Sequence, residues 1–230
     1  MDETRIIRAV MELAILVFSL SLHEFGHAYA ATKLGDPTAK LLGRLTLDPR
    51  VHADMIGTII FPLLRFLYPG FIMFGWAKPV PITPENFKHP RRDNAIVATA
   101  GPAMNILLAL TALAALFILG QTDFFNLPNS TQPVLGGFFR FFFWLNFGLA
   151  FFNLIPIYPL DGSWVLKALL PNKLSYQYSR FDRYGVFVFL GVFIFCPSVF
   201  NFIFMPVING LFWVLNSAGL DRLADMINLG

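Results

Sequence analysis

Long charge-poor intervals divide this chain into apolar stretches separated by basic loops. Between residues 9 and 32 the charged or histidine positions are Glu12, His23, Glu24 and His27. Residues 94–122, 141–160 and 184–220 carry no charged side chain. A bilayer crossing needs about 20 apolar residues, so the pattern predicts helical spans at about 9–32, 94–120 and 138–160. A C-terminal membrane region covers about 184–217. Pro197 and Pro206 interrupt it, so it reads as one span plus a re-entrant piece or as two short tilted helices. Residues 55–77 are apolar but broken by Pro62, Arg65, Pro69 and Gly70, which favours a re-entrant or surface-lying segment. The predicted fold class is an α-helical polytopic membrane protein of about four to six transmembrane segments. Residues 1–230 are expected to form a single membrane-embedded domain.

The polar intervals set the orientation. Residues 78–93 carry Lys78, Lys88, Arg91 and Arg92, and residues 161–183 carry Lys167, Lys173, Arg180 and Arg183. Residues 121–139 hold Asp123 and, up to that point, neither Lys nor Arg. An excess of positive charge marks cytoplasmic loops. Residues 78–93 and 161–183 are therefore expected inside and 121–139 outside, so that the first span enters from outside. Residues 39–50 partly alternate apolar and polar positions, as a strand does. The prolines of Trp76-Ala-Lys-Pro-Val-Pro-Ile82 hold that segment extended. Together they predict a small membrane-associated β-sheet at the cytoplasmic face.

Composition agrees with a membrane chain. The 230 residues are 56% hydrophobic and 13% charged, with 27 Phe and a mean hydropathy of +0.62. Soluble domains carry about 25% charged residues. The net charge of +3 is spread along the chain, and no basic stripe interleaved with aromatics suggests a nucleic-acid surface. The lone Cys196 forms no internal disulfide and reads as packing. The first apolar stretch lacks a cleavage pattern and reads as a retained span. Asn129-Ser130-Thr131 matches a glycosylation sequon, which matters only in a eukaryotic secretory host.

The candidate chemistry lies inside that first span, as His23-Glu24-Phe25-Gly26-His27. Charged side chains at a helix centre cost about 2.5–3.5 kcal/mol each on insertion scales. Three ionisable residues in little more than one turn need a compensating partner. Residues i and i+4 share a helix face, so His23 and His27 can place two imidazole nitrogens on one zinc ion. Glu24 then stands where a general base takes a proton from a metal-activated water. A catalytic zinc wants a third protein ligand. Glu85, His52, Asp54 and His89 lie in polar loop sequence. Asp161 closes the 141–160 run, where Pro156 and Pro159 can turn it inward, or else it is an ordinary helix-end aspartate.

His23-Glu-Phe-Gly-His27 resembles the first motif of the site-2 protease family of intramembrane zinc metalloproteases. Asn153 through Leu160-Asp161-Gly162 resembles its second, and Gly101-Pro-Ala-Met-Asn105 its Gly-Pro-x-x-Asn element. The resemblance extends through Phe74-Gly-Trp-Ala-Lys-Pro-Val-Pro81 and covers most of residues 14–165. It implies that Asp161 is the third ligand of one catalytic Zn2+ and Glu24 the base. It implies that Asn153 holds substrate or stabilises the oxyanion, that Asn105 supports the site, and that an edge strand near 74–81 receives the unwound substrate. Larger members carry PDZ or CBS regions that 230 residues do not accommodate, so the chain resembles a compact form.

The expected function is hydrolysis of a peptide bond in or near a transmembrane segment of a membrane-protein substrate, as in regulated intramembrane proteolysis. The partners are that substrate and the lipid bilayer, with no nucleic acid; the sequence carries no sign of oligomeric state. The setting is a multi-pass protein of a prokaryotic cell membrane. Two other classes stand beside this one. A catalytically silent helix-binding protein with structural zinc would not need Glu24. A metal-ion transporter would need polar residues repeated through several spans, and 94–122 and 184–220 carry no charge.

Overall fold

The computed structural model of the chain describes residues 3–68, 75–121, 132–195 and 197–228. Phe74, Asp123, the sequon at 129–131 and Cys196 lie outside the described residues. Helix α1 spans Glu3–Lys33, and α2 (Thr38–Leu41) and α3 (Pro49–His52) are single turns. A π-helical turn, Met55–Ile60, runs into α4 (Phe61–Leu67), and a 3-10 turn occupies Pro84–Asn86. The long helices α5 (Pro90–Gln121) and α6 (Gln132–Asn153) follow. The chain closes with α7 (Gly162–Leu169), α8 (Asn172–Ser179), α9 (Asp182–Phe195), α10 (Pro197–Ser217) and α11 (Asp221–Ile227).

Three helices, over Ile6–Lys33, Pro90–Gln121 and Val134–Asn153, are long and apolar enough to cross a membrane. Helix α5 is central and packs on α1, α6 and α7. Its buried positions are Asp93, Val97, Ala98, Gly101, Pro102, Asn105, Ala109, Ala112, Leu116 and Gly120. They recur every three or four residues, and most are small. Lipid chains are as apolar as leucine, so helices in a bilayer associate through close packing of small residues and not through burial alone. On the other face Leu107, Leu110 and Ile118 are exposed, as are Phe187, Phe202 and Trp213 on α9 and α10. Lipid takes up this surface, which in water would cost about 25 cal/mol per Å².

Two apolar clusters order the C-terminal helices. Phe189 of α9 packs with Ile155 and Leu160, joined by Phe152 and by Phe204 of α10. Leu215 of α10 packs with Phe143 of α6, Leu116 of α5, and Leu223 and Ile227 of α11. Helix α10 therefore runs antiparallel to α6. The predicted 184–217 region is a pair of helices meeting near residue 196.

The expected β-sheet is not present: the described residues contain no strand. Backbone pairing there is one isolated antiparallel bridge just beyond 39–50, Ala53 with Ala77, continued by Lys78 N–H donating to His52 O at 2.8 Å. Pro79 and Pro81 have no N–H to extend a ladder. Over 39–50 the alternation is instead a helical turn and a loop whose leucines Leu41, Leu42 and Leu47 are exposed. The helical part of the 138–160 span also stops early, at Asn153. Pro156 disfavours helix at the preceding residue, and turns carry the chain from Leu154 to Asp161.

A buried carboxylate anchors the loop over the end of α1. Asp36 is fully buried, one residue after Gly35 turns the chain with φ +108°. It accepts hydrogen bonds from Thr38 N and Oγ1, Thr83 N and Asn86 Nδ2. Burial by itself would raise the Asp36 pKa, but these donors outweigh it and hold the carboxyl below its ordinary value.

Candidate metal centre

His23 and His27 lie one turn apart on α1, both buried, with their rings edge to face. Their Nε2 atoms are 3.1 Å apart. Asp161 Oδ2 lies 3.2 Å from the first and 3.4 Å from the second. Among the described residues these three form the group of His, Cys, Asp and Glu close enough to share an ion.

The donor set can be tested for a metal without one present. His27 Nδ1 is 2.7 Å from Val97 O. A carbonyl only accepts, so Nδ1 carries the proton and Nε2 presents a lone pair. His23 Nδ1 is 2.5 Å from Asn105 Oδ1, which orients that ring the same way. Asp161 Oδ2 is buried with no hydrogen-bond partner. Three lone pairs thus converge with no donor among them, an arrangement that favours a cation between them. A tetrahedral zinc with bonds of about 2.0–2.1 Å spaces its donors by about 3.3 Å. The observed triangle has that size, and two imidazoles with one carboxylate form a zinc donor set.

Glycines allow this approach. A methyl group on Gly101 of α5 would sit 2.3 Å from His27 Nε2 and 2.7 Å from His23 Cε1. One on Gly26 would sit 2.8 Å from Ala100 O, so α1 and α5 cross where both lack side chains. Asp161 is at the N-cap of α7, yet its side chain makes no cap hydrogen bond. Its carboxylate is turned to the histidines instead of the helix end, which separates it from an ordinary helix-end aspartate. Gly162 makes the turn possible, since a methyl there would fall 2.1 Å from Leu154 O. Lys167 secures α7 from behind. It pairs with Asp182 Oδ2 at 2.5 Å and stands over the Trp164 ring at 4.1 Å.

Glu24 is buried beside the pair, and its Oε2 accepts from Val80 N–H at 3.0 Å. The segment carrying Val80 is itself held. The guanidinium of buried Arg44 donates to Lys78 O and Pro79 O. Asn153 is half-buried at the end of α6, and its Nδ2 donates to Leu149 O of its own helix at 2.9 Å. That bond ties Asn153 to α6 and not to the metal cluster.

The other sequence candidates for a third donor are elsewhere. His52 Nε2 bonds Thr46 O, and Asp54 caps the π-helical turn through Ile56 and Gly57 N–H. Glu85 is in the 3-10 turn, and His89 precedes α5. Reading the sequence missed Asn146. It is fully buried on α6 and accepts from Asn105 Nδ2 at 2.8 Å. An amide within Trp144-Leu-Asn146-Phe was the available signal.

The model of one family, described as Peptidase family M50, matches residues 11–196. Two bacterial proteins, each named "Putative zinc metalloprotease", align over 213 residues. YwhC of Bacillus subtilis (strain 168) is 34% identical over 93% of this chain and 89% of its own length. Rip2 of Mycobacterium tuberculosis (strain ATCC 25618 / H37Rv) is 31% identical over 93% of this chain and 76% of its own. Zinc metalloprotease MJ0392 of Methanocaldococcus jannaschii is 28% identical over 71% of this chain and 36% of its own. No solved structure matches the chain significantly. A family match across most of the chain, with a 34% identical relative aligned over 89% of its own length, places it: the chain belongs to peptidase family M50, the site-2 protease family of membrane zinc metalloproteases.

Proposed function

We propose that this chain is an intramembrane zinc endopeptidase that cuts a peptide bond in or near a transmembrane segment of a membrane-protein substrate. The cut would serve regulated intramembrane proteolysis. The observation that carries the proposal is the convergence of His23 Nε2, His27 Nε2 and Asp161 Oδ2 within 3.4 Å, with the two histidines on a helix long and apolar enough to span a bilayer. The zinc in the names of the relatives agrees with this donor set.

His23, His27 and Asp161 hold the ion in this reading. When bound, zinc would polarise a carbonyl oxygen and make water acidic enough to lose its proton near neutral pH. Glu24, whose carboxylate Val80 N–H orients, would take up a proton and return it to the departing amine. Asn153 is assigned to hold the substrate backbone or the developing oxyanion, which requires it to release Leu149 O. The extended residues 76–82 and the loop through 44–54 guide an unwound substrate toward Glu24, since a helical peptide bond is shielded from attack.

The same reading gives a multi-pass topology. Helices α1, α5, α6 and α10 cross, with the signature in the cytoplasmic half of α1. The π-helical turn and α4, which expose Met55, Ile59 and Leu63, dip into the membrane without spanning it. The test is metal content. Asp161→Ala in purified protein should lower zinc well below one ion per chain and stop zinc-dependent cleavage of a single-span substrate. Unchanged zinc would reject the ligand assignment.

A further inference from the structure

Asn146 lies on α6, one helix removed from the histidines, and no motif includes it. Its side chain is nevertheless completely buried and fully used. Its Nδ2 donates to Ser19 Oγ of α1 and to Phe142 O of its own helix, each at 2.9 Å. Its Oδ1 accepts from Asn105 Nδ2 of α5 at 2.8 Å. Asn105 and Ser19 are also fully buried.

The chain of bonds has one direction, fixed at its far end. Phe142 O is a carbonyl and can only accept, so the Asn146 group facing it is the NH2. Asn146 therefore turns its carbonyl oxygen to α5. Asn105 must meet that oxygen with its own NH2, which leaves Asn105 Oδ1 facing His23 at 2.5 Å. An oxygen there requires the proton on His23 Nδ1 and frees Nε2 for the metal. If Asn105 were reversed, its NH2 would face Nδ1. The proton would then move to Nε2, where it would block the ion.

We infer that Asn146 is a positioning residue of the metal centre: acting through Asn105, it fixes the His23 tautomer that binds zinc. This rests on the metal-ligand reading of His23 and adds a requirement to it. Outer partners of metal-bound histidines set ring tautomer and basicity, and losing them lowers metal affinity about 10–100-fold.

The test compares Asn146→Leu, Asn146→Asp and the double variant Asn105→Asp with Asn146→Leu, all in detergent. Leucine removes the acceptor and fills similar space. Aspartic acid, neutral in this buried site, keeps an oxygen toward Asn105 Nδ2 and can turn its O–H to Phe142 O. An aspartate at 105 presents oxygen to His23 without help from Asn146. Zinc affinity is read by chelator competition, and the His23 tautomer by nitrogen NMR of zinc-free protein labelled at its four histidines. Asn146→Leu should lower zinc affinity about 10–100-fold and populate the Nε2-protonated form of His23. Asn146→Asp should keep wild-type values, and the leucine should lose its effect in the double variant. Wild-type tautomer and affinity in Asn146→Leu would overturn the inference, as would weak zinc binding by a folded Asn146→Asp. If the wild-type protein itself bound no zinc, the metal-ligand reading would fail and this inference with it; zinc bound by the wild type and equally by Asn146→Leu would overturn this inference alone.

Discussion

Gly101→Ala is the smallest change that should dismantle the metal centre. The added methyl would lie 2.3 Å from His27 Nε2, 2.6 Å from His27 Cε1 and 2.7 Å from His23 Cε1. Ordinary carbon contacts begin near about 3.5 Å, so the shortfall is about 1 Å against both rings. The rings cannot swing aside cheaply. His27 is tied to Val97 O and His23 to Asn105 Oδ1, and these partners lie four residues either side of Gly101 on the same helix. Helix α1 would have to move off α5 by about 1 Å, against a zinc–nitrogen bond of about 2.0–2.1 Å. Overpacking of this kind costs about 1–3 kcal/mol in stability. Zinc affinity should fall by more than about 100-fold, beyond the loss of an outer hydrogen bond. The assay is the zinc-to-protein ratio by mass spectrometry with a chelator titration, and circular dichroism for helix content. Gly148→Ala is the control, because a methyl there meets nothing within 4 Å. A Gly101→Ala protein with one tightly held zinc per chain would refute the packing argument.

Two further predictions concern the frame around the site. The four crossings proposed for α1, α5, α6 and α10 would put both termini outside, so a reporter after Gly230 should read external while one within 78–93 reads cytoplasmic; an internal C-terminus would contradict a crossing by α10. Asp36 has a lowered folded pKa, so its contribution to stability is present above its unfolded value near about pH 3.9 and is lost as pH falls through the folded value. The difference in thermal midpoint between wild type and Asp36→Asn should therefore be constant near neutrality and shrink in acid below about pH 4; a difference independent of pH would show that the carboxylate charge does not matter.

Much of the frame was legible because it obeys single-helix rules. Apolar length gave α1, α5 and α6, and i to i+4 spacing put His23 and His27 on one face. Asp161 was legible as a turn residue beyond Pro156 and Pro159. Its choice between helix cap and metal-facing carboxylate depended on how α7 begins, which local pattern does not encode. The predicted sheet failed for a related reason. Leu45-Thr46-Leu47 alternates like a strand, but Leu47 is exposed in a membrane-associated loop, so burial on a sheet was not the cause of the alternation. Asn146 escaped notice because a lone amide in a Phe-rich run needs a partner, and its partners come from residues 19 and 105. Asn153, like Asn146, donates to the carbonyl four residues earlier on α6, here Leu149 O.

A working hydrolytic centre needs Glu24 as well as the three metal-facing donors. Glu24→Gln separates the two, because the amide oxygen can still accept from Val80 N–H while the side chain can no longer take a proton. The measurement is zinc stoichiometry together with cleavage of a single-span substrate in the same detergent preparation. About one zinc per chain should remain, since the three donors are untouched, with no cleavage above the chelator-treated control. Proteolysis retained in Glu24→Gln would contradict the need for Glu24.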